Sequence, residues 1–384
     1  MPHSPHSSHS SYPSALETFW LTRAAAALHL PDHATVLDQI RPDVAKLSDL
    51  FTIERPTGFG RYGDEERAQL AYGLFFFPQT YARTRFVLDE CLAAHRWTPP
   101  ADRPARILDL GAGLGAALLS AAHALADHTP VLCALDHSTG SLATLRELFA
   151  AQHLDVETRT GSILQPLPES ESWDLILCSF ALNEALQNEP ETDLSAWIRR
   201  LLARLSPGGL LLLVEPALER TALRLEALRD TLSTEGHGCI LAPCLHHQAC
   251  PLRRDGRHYC HEVRRWIAPD SVAYINRHLF RDLTVVKFSF LAVAQTERPA
   301  AAPDATHARL IAPVEEENGK LVTRGCAADG QAHLYEVLTR HLSREERAAL
   351  ARTERGTRLV WPALKPLGDG RSLRAAGAPA TEPR

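Results

Sequence analysis

The apolar positions change their period along the chain. Over residues 15–29, 35–50 and 65–90 they return every three or four positions, which predicts helices and an N-terminal helical region covering 15–97. Pro78 predicts a break in the third of these. From residue 105 onward, short apolar runs alternate with amphipathic stretches. The runs at 106–110, 131–135, 156–160, 173–180, 210–215 and 283–294 read as strands; 115–126, 139–153, 182–187, 193–205 and 218–231 read as helices. Strands separated by helices predict an α/β domain over 105–296, with a parallel Rossmann-like sheet, right-handed crossovers and helices on both faces. Residues 236–269 fit neither period and are too long for an ordinary connection, which marks them as a functional insertion. After a Pro/Ala-rich linker at 298–306, Asn318-Gly319 and Asp329-Gly330 predict two hairpin turns in a small β-meander. Ser343 and Glu346 form a capping box that opens a last helix, all within a C-terminal region 307–367. The Ser/His/Pro stretch 1–14 and the Gly/Pro/Ala stretch 368–384 predict disordered tails.

Composition narrows the class. With 384 residues, 45% hydrophobic and 23% charged, the chain can build a sizeable core, which excludes collagen-like, coiled-coil and wholly disordered readings. No apolar run approaches the ~20 residues of a spanning helix, so no membrane partner is expected. The first residues lack the cationic start and apolar stretch of a secretory signal, which makes the cytoplasm the expected compartment. Thiols or metal ligands are then expected rather than disulfides. The net charge of −5 gives no overall pull toward nucleic acid. Residues 236–287 differ, with eight Lys or Arg against four Asp or Glu.

Two constellations carry chemistry. In the first, Asp109-x-Gly111-x-Gly113-x-Gly115 joins the first predicted strand to its helix, where glycines let the backbone turn tightly and approach a ligand. The glycines alone also suit a dinucleotide. Asp109 favours a cation instead, because a carboxylate repels a diphosphate and attracts a sulfonium amino acid. Asp136 ends the second strand, where an acid binds ribose hydroxyls, and Ser162 follows the third strand toward the same pocket. After the fourth strand, Cys178 reads as a buried inert thiol, whereas Asn183 and Glu184 are expected at the pocket mouth. No general base is assigned.

The second constellation is Cys244-x5-Cys250-x9-Cys260, with Cys326 far downstream and His246, His247, His258 and His261 interleaved. Three cysteines in a polar loop have no core to occupy, and thiolates so placed suit tetrahedral zinc or an iron–sulfur cluster. Cys91, Cys133, Cys178 and Cys239 read as ordinary buried thiols. The same loop carries Arg253, Arg254, Arg257, Arg264 and Arg265, with Tyr259 and Trp266 among them, a composition suited to phosphate contact and base stacking on single-stranded RNA.

Pro243-Cys-Leu-His-His-Gln-Ala-Cys-Pro-Leu252 followed by Tyr259-Cys-His261 resembles the small-ribosomal-subunit assembly factors of the methyltransferase-like kind, the bacterial and mitochondrial Rsm22 type. Residues 173–184, Pro207-Gly-Gly and Val214-Glu-Pro216 are similar to that family too. So is Phe77-Pro-Gln-Thr-Tyr81, although it lacks the Arg usual there. The resemblance covers about residues 72–330. It implies a class I methyltransferase fold, S-adenosylmethionine at Asp109, Gly111, Gly113, Gly115 and Asp136, and a [4Fe-4S] cluster on Cys244, Cys250, Cys260 and Cys326. It also implies association with small-subunit rRNA in support of ribosome assembly and translation; off the ribosome a monomer is expected. Two further readings stay open: an active rRNA methyltransferase, and a zinc-containing methyltransferase for a small molecule or protein.

Overall fold

Apolar residues at helical spacing produce the first helices. In the computed structural model, which describes residues 12–51, 62–93, 96–188, 193–256, 258–279, 284–295 and 304–382, α1 (Ser14–Leu28) buries Leu16, Trp20 and Ala24 four residues apart. Asp32 caps α2 (His33–Asp49) by accepting the Thr35 N–H at 2.8 Å. α3 (Glu66–Ala71) runs through a wide turn, Tyr72–Phe76, into α4 (Phe77–Leu92). Pro78 therefore breaks nothing: it lies in the first turn of α4, where a missing N–H is harmless, and the irregularity precedes it. Trp20 rests on Gly73 of that turn, where a Cβ would come within 2.3 Å of the indole. Tyr12 packs edge-on against Phe77 and Tyr81, so order begins inside the expected N-terminal tail. The rest of that tail, 1–11, lies outside the described residues.

β1 (Arg106–Leu110), α5 (Ala116–Ala124), β2 (Val131–Asp136), α6 (Thr139–Ala151), β3 (Val156–Thr160) and β4 (Trp173–Ser179) follow the expected alternation. Next come α7 (Ala181–Asn188), α8 (Leu194–Leu202), β5 (Leu205–Pro216), α9 (Glu219–Glu235), β6 (Cys239–Ala242), α10 (Pro251–Asp255), β7 (Glu262–Arg265), α11 (Asp270–His278) and β8 (Val285–Ala294). The strand order is β3-β2-β1-β4-β5-β8-β6, with β7 also on β8. β1 to β5 are parallel. β8 runs antiparallel to β5, β6 and β7, so the sheet is mixed rather than wholly parallel. Every residue of β4 is buried, as a central strand covered on both faces requires. β5 begins at Leu205, before Pro207-Gly208-Gly209; a register shift opposite β4 absorbs these three residues as a bulge. Strand order reverses between β1 and β4, which opens a crevice at their carboxyl ends.

The C-terminal strands β9 (His307–Leu310), β10 (Glu315–Glu317), β11 (Lys320–Ala327), β12 (Ala332–Leu338), β13 (Arg358–Val360), β14 (Leu364–Pro366), β15 (Ser372–Ala375) and β16 (Ala380–Thr381) make a second sheet. Asn318 and Gly319 turn between β10 and β11, both at positive φ, and Asp329-Gly330 turns between β11 and β12. Ser343 and Glu346 exchange both capping-box bonds at the start of α12 (Arg344–Ala351). The stretch after 368 corrects the expectation of a tail: β15 adds parallel to β12, burying Leu373 and Ala375, so the region is larger than a meander. Asp369 starts that strand by accepting the N–H groups of Arg371 and Ser372.

A buried ion cluster joins the two sheets to α4. Glu90 meets Arg309 at 2.5 Å and Arg358 at 3.0 Å, and Glu262 meets Arg309 and Arg264, each at 2.9 Å. Arg264, expected to face RNA, is thus a 5% exposed member of this cluster. It sits on β7 with its side chain turned inward beside Glu262, and it donates to the Gly356 carbonyl at 3.1 Å.

Candidate functional site

The crevice beyond β1 and β4 holds a cavity of about 290 Å³, near the lower end for small-molecule sites. Asp109, Gly111, Gly113, Asp136 and Ser162 line it as expected. Gly115 does not. It faces Phe149 and Leu145, where a Cβ would come within 2.7 and 3.0 Å, and so lets α5 pack closely on α6. Asp136 is anchored by the N–H of Gly113 on one oxygen and that of Ser138 on the other, both at 2.8 Å. Each oxygen keeps a lone pair for a hydroxyl.

Asp109 is 1% exposed. Its Oδ2 accepts the Leu118 N–H at 3.1 Å, while Oδ1 is buried with no partner among the described residues. Burial, and then the nearby Asp136, pushes its carboxyl up to about 7. A carboxyl raised by folding binds its proton in the native state between roughly 3.9 and the raised value, so empty protein loses stability as pH rises through that window. A cation beside Asp109 reverses the preference. Affinity for a sulfonium ligand is therefore expected to increase with pH and level off above about 7, with proton uptake by buffer below that point. Calorimetry in buffers of different ionisation enthalpy measures this, and Asp109→Asn should flatten the profile. A flat wild-type profile would remove Asp109 from ligand binding.

The N-terminal region closes the cavity, which the sequence did not reveal. Gly63, Gln69, Tyr72 and Thr80 are lining residues. Asp64 accepts the Ser138 hydroxyl at 2.6 Å and the Gly140 N–H at 3.2 Å; the Gly63 carbonyl accepts the Ser141 hydroxyl at 3.0 Å. The only signal was polar Gln69 and Thr80 interrupting an apolar helical face. Ser179, Phe180 and Glu184 also line the cavity. Asn183 does not join Glu184 there: it is buried and accepts from Arg220 at 3.1 Å. Burial pushes the Glu215 carboxyl up to about 8, and burial holds the Cys178 thiol well above its ordinary value.

The insertion brings its cysteines together. Cys244, Cys250 and Cys260 line one cavity against α9. Cys326, on β11, packs with Cys250 and Cys260 around Leu252 and Ile311. Cys91, Cys133, Cys178 and Cys239 are buried elsewhere. The four gathered sulfurs are not in ligand contact: among the described residues, no group of three or more His, Cys, Asp or Glu is spaced to hold a metal ion. The gathered thiols nevertheless fit a soft or borderline metal, with His261, Glu226 and Glu262 lining the same cavity and the unpartnered Arg229 Nε in its wall. Burial, then the neighbouring thiols, raises Cys260 and Cys326, and burial pushes Cys250 up to about 12. A bound cation would remove that penalty on the thiolates.

The arginines separate. Arg265 is 78% exposed near Glu354 at 3.4 Å, and Arg253 is half exposed near Asp230 at 3.5 Å. Arg254 is spent on the β11–β12 turn, donating to the Gly330 carbonyl and Gln331, both at 3.2 Å. Arg257 lies outside the described residues. Trp266, expected as an exposed stacking residue, is buried in the core, and Tyr259 is half-buried.

Residues 66–357 match the family described as mitochondrial small ribosomal subunit Rsm22. The chain belongs to the Rsm22 family. The match takes in the cavity at β1 apart from Gly63, the cysteine insertion and Cys326. The description of the Rsm22 family is mitochondrial, which the cytoplasmic expectation did not anticipate. No protein of curated function matches the chain. Among solved structures, it is similar to TehB from Haemophilus influenzae, at 16% identity over 51% of this chain and TM-score 0.30; it spans 59% of that protein. It is similar to a ribosomal protein L11 methylase from Lactobacillus delbrueckii subsp. bulgaricus, at 16% identity over 57% of this chain and 80% of the other, TM-score 0.32. It is also similar to the plantazolicin methyltransferase BpumL in complex with SAH, at 13% identity over 68% and 98%, TM-score 0.34. Among the described residues, no helix is long and apolar enough to cross a membrane.

Proposed function

We propose that this Rsm22-family chain is an assembly or translation factor of the small ribosomal subunit that binds S-adenosylmethionine at β1 and a [4Fe-4S] cluster in its insertion. The observation that carries the reading is the convergence of Cys244, Cys250, Cys260 and Cys326 from separate segments, within a chain of this family. Cys244, Cys250, Cys260 and Cys326 would hold the cluster, with zinc as the alternative metal. The unpartnered Asp109 oxygen would meet the cationic end of the cofactor, and Asp136 its ribose. The cofactor, when bound, supplies an electrophilic methyl group. The buried orphan carboxyl at that end suits binding whether or not transfer follows.

Arg253 and Arg265, exposed on the insertion together with Arg254, would contact rRNA phosphates in a protein that is monomeric off the ribosome. A second reading, an rRNA methyltransferase, is favoured by the polar Glu184 in the cavity lining, which would face an acceptor. Sedimentation of cell lysate tests the main reading. The chain is expected to travel with small-subunit precursors and to leave them as salt is raised; sedimentation free of ribosomal particles at low salt would overturn it. Loss of a modified rRNA nucleotide on deleting the gene would favour the second reading.

A further inference from the structure

α9 presents Glu226, Arg229, Asp230 and Ser233 at intervals of three and four, hence on one face. That face carries the insertion by its backbone. Glu226 accepts the Cys260 N–H at 2.6 Å, and Asp230 accepts the Cys250 N–H at 2.8 Å. Arg229 donates to the carbonyls of His246, at 2.7 Å, and Gln248; Ser233 donates to the carbonyl of His247. The cysteine backbone is thus held by this face of α9.

The side chains extend the pattern to sulfur. Arg229 Nη2 lies 3.2 Å from His246 Nδ1. A guanidinium only donates, so Nδ1 accepts and the imidazole proton sits on Nε2. Nε2 lies 3.5 Å from the Cys326 sulfur, which makes this contact an N–H···S hydrogen bond. Arg229, 2% exposed, lines the cavity with Cys244, Cys250 and Cys260, which places its charge beside these sulfurs. Four thiolates around zinc or a [4Fe-4S] core leave a net negative charge in this buried place, and such charge needs nearby donors.

We infer that Arg229 and His246 are positioning residues forming a second sphere around the sulfur centre: Arg229 compensates Cys244 and fixes the His246 tautomer, and His246 donates to Cys326. His246 is by this account no metal ligand. The inference rests on the reading that the four cysteines hold a metal.

The test uses the full chain, purified without oxygen, with Zn²⁺ affinity measured against a chromophoric chelator and the visible spectrum recorded on iron-loaded protein. His246→Phe is expected to keep the metal stoichiometry and far-ultraviolet circular dichroism of the wild type but to lose roughly 10–100-fold in affinity and shift the visible bands. His246→Gln, which keeps an N–H donor, should recover most of the affinity. Arg229→Lys, which keeps the charge but not the bond to Nδ1, should fall between. Wild-type affinity and spectrum in His246→Phe would overturn the inference. Complete loss of metal in that variant, matching Cys326→Ser, would overturn it in favour of ligation by His246. If wild-type protein takes up no metal, the reading beneath the inference fails and the inference with it.

Discussion

Replacing Glu90 with alanine is expected to cost about 3–5 kcal/mol of stability, the range for removing one partner of a buried ion pair. Glu90 sits under Arg309 and Arg358, with Arg264 at 3.6 Å and Arg96 at 4.0 Å. Its removal leaves these guanidinium groups facing one another, with Glu262 as the remaining buried acid. The backbones involved come from α4, β7, β9 and β13, so the loss should appear as undocking of the second sheet from the first. Burial alone would raise the Glu90 carboxyl, but Arg309 and Arg358 outweigh it and hold it well below the usual range. A depressed carboxyl stabilises above its unfolded value, roughly 4.3, and loses that contribution only as pH falls toward the folded one. The wild-type contribution should therefore be nearly constant above about pH 5 and diminish as pH falls below roughly 4. Urea denaturation of wild type, Glu90→Ala and Glu90→Gln measures it. A midpoint within error of wild type for Glu90→Ala would show that the cluster contributes no net stability.

Gly111→Ala should be nearly as damaging, and at a different place. Gly111 has φ of +75°, and a Cβ there would lie 2.2 Å from the Ala181 Cβ. The left-handed conformation costs a non-glycine residue about 1–2 kcal/mol, and forcing a methyl into a packed site about 1–3 kcal/mol more. Relief requires the start of α7 to move away from β1, which distorts both ends of the cavity. The expected result is about 2–5 kcal/mol of lost stability together with at least a ten-fold loss of S-adenosylmethionine affinity. Gly113→Ala is the informative companion: a Cβ there meets nothing within 4 Å, so only the backbone strain of φ +51° remains. Equal effects of the two substitutions on binding would contradict the close approach at Ala181.

What could be read in the sequence was local. The glycine turn with its two flanking aspartates, the hairpin turns at Asn318-Gly319 and Asp329-Gly330, and the Ser343 capping box each depend on a few adjacent residues and appear where expected. What escaped depends on partners far away in the chain. Arg264 has the composition of a solvent-facing arginine, yet Glu90, more than a hundred residues earlier, helps to bury it. Ser372-Leu-Arg-Ala375 is too short and polar to signal a strand until β12 offers its edge. The face of α9 that holds the insertion consists of ordinary helix-surface residues, and nothing in their spacing tells that Cys250 and Cys260 will hang from it. For the same reason the insertion reads as shapeless in sequence, while in the structure one helix fixes its backbone.

The proposal that Cys244, Cys250, Cys260 and Cys326 together hold an iron–sulfur cluster is tested most directly by the iron, acid-labile sulfide and zinc content of the whole chain purified without oxygen, with its visible spectrum. The account predicts brown protein with about four irons and four sulfides per chain, and colourless, iron-free protein after Cys326→Ser. Colourless wild-type protein holding stoichiometric zinc, or no metal at all, would contradict it.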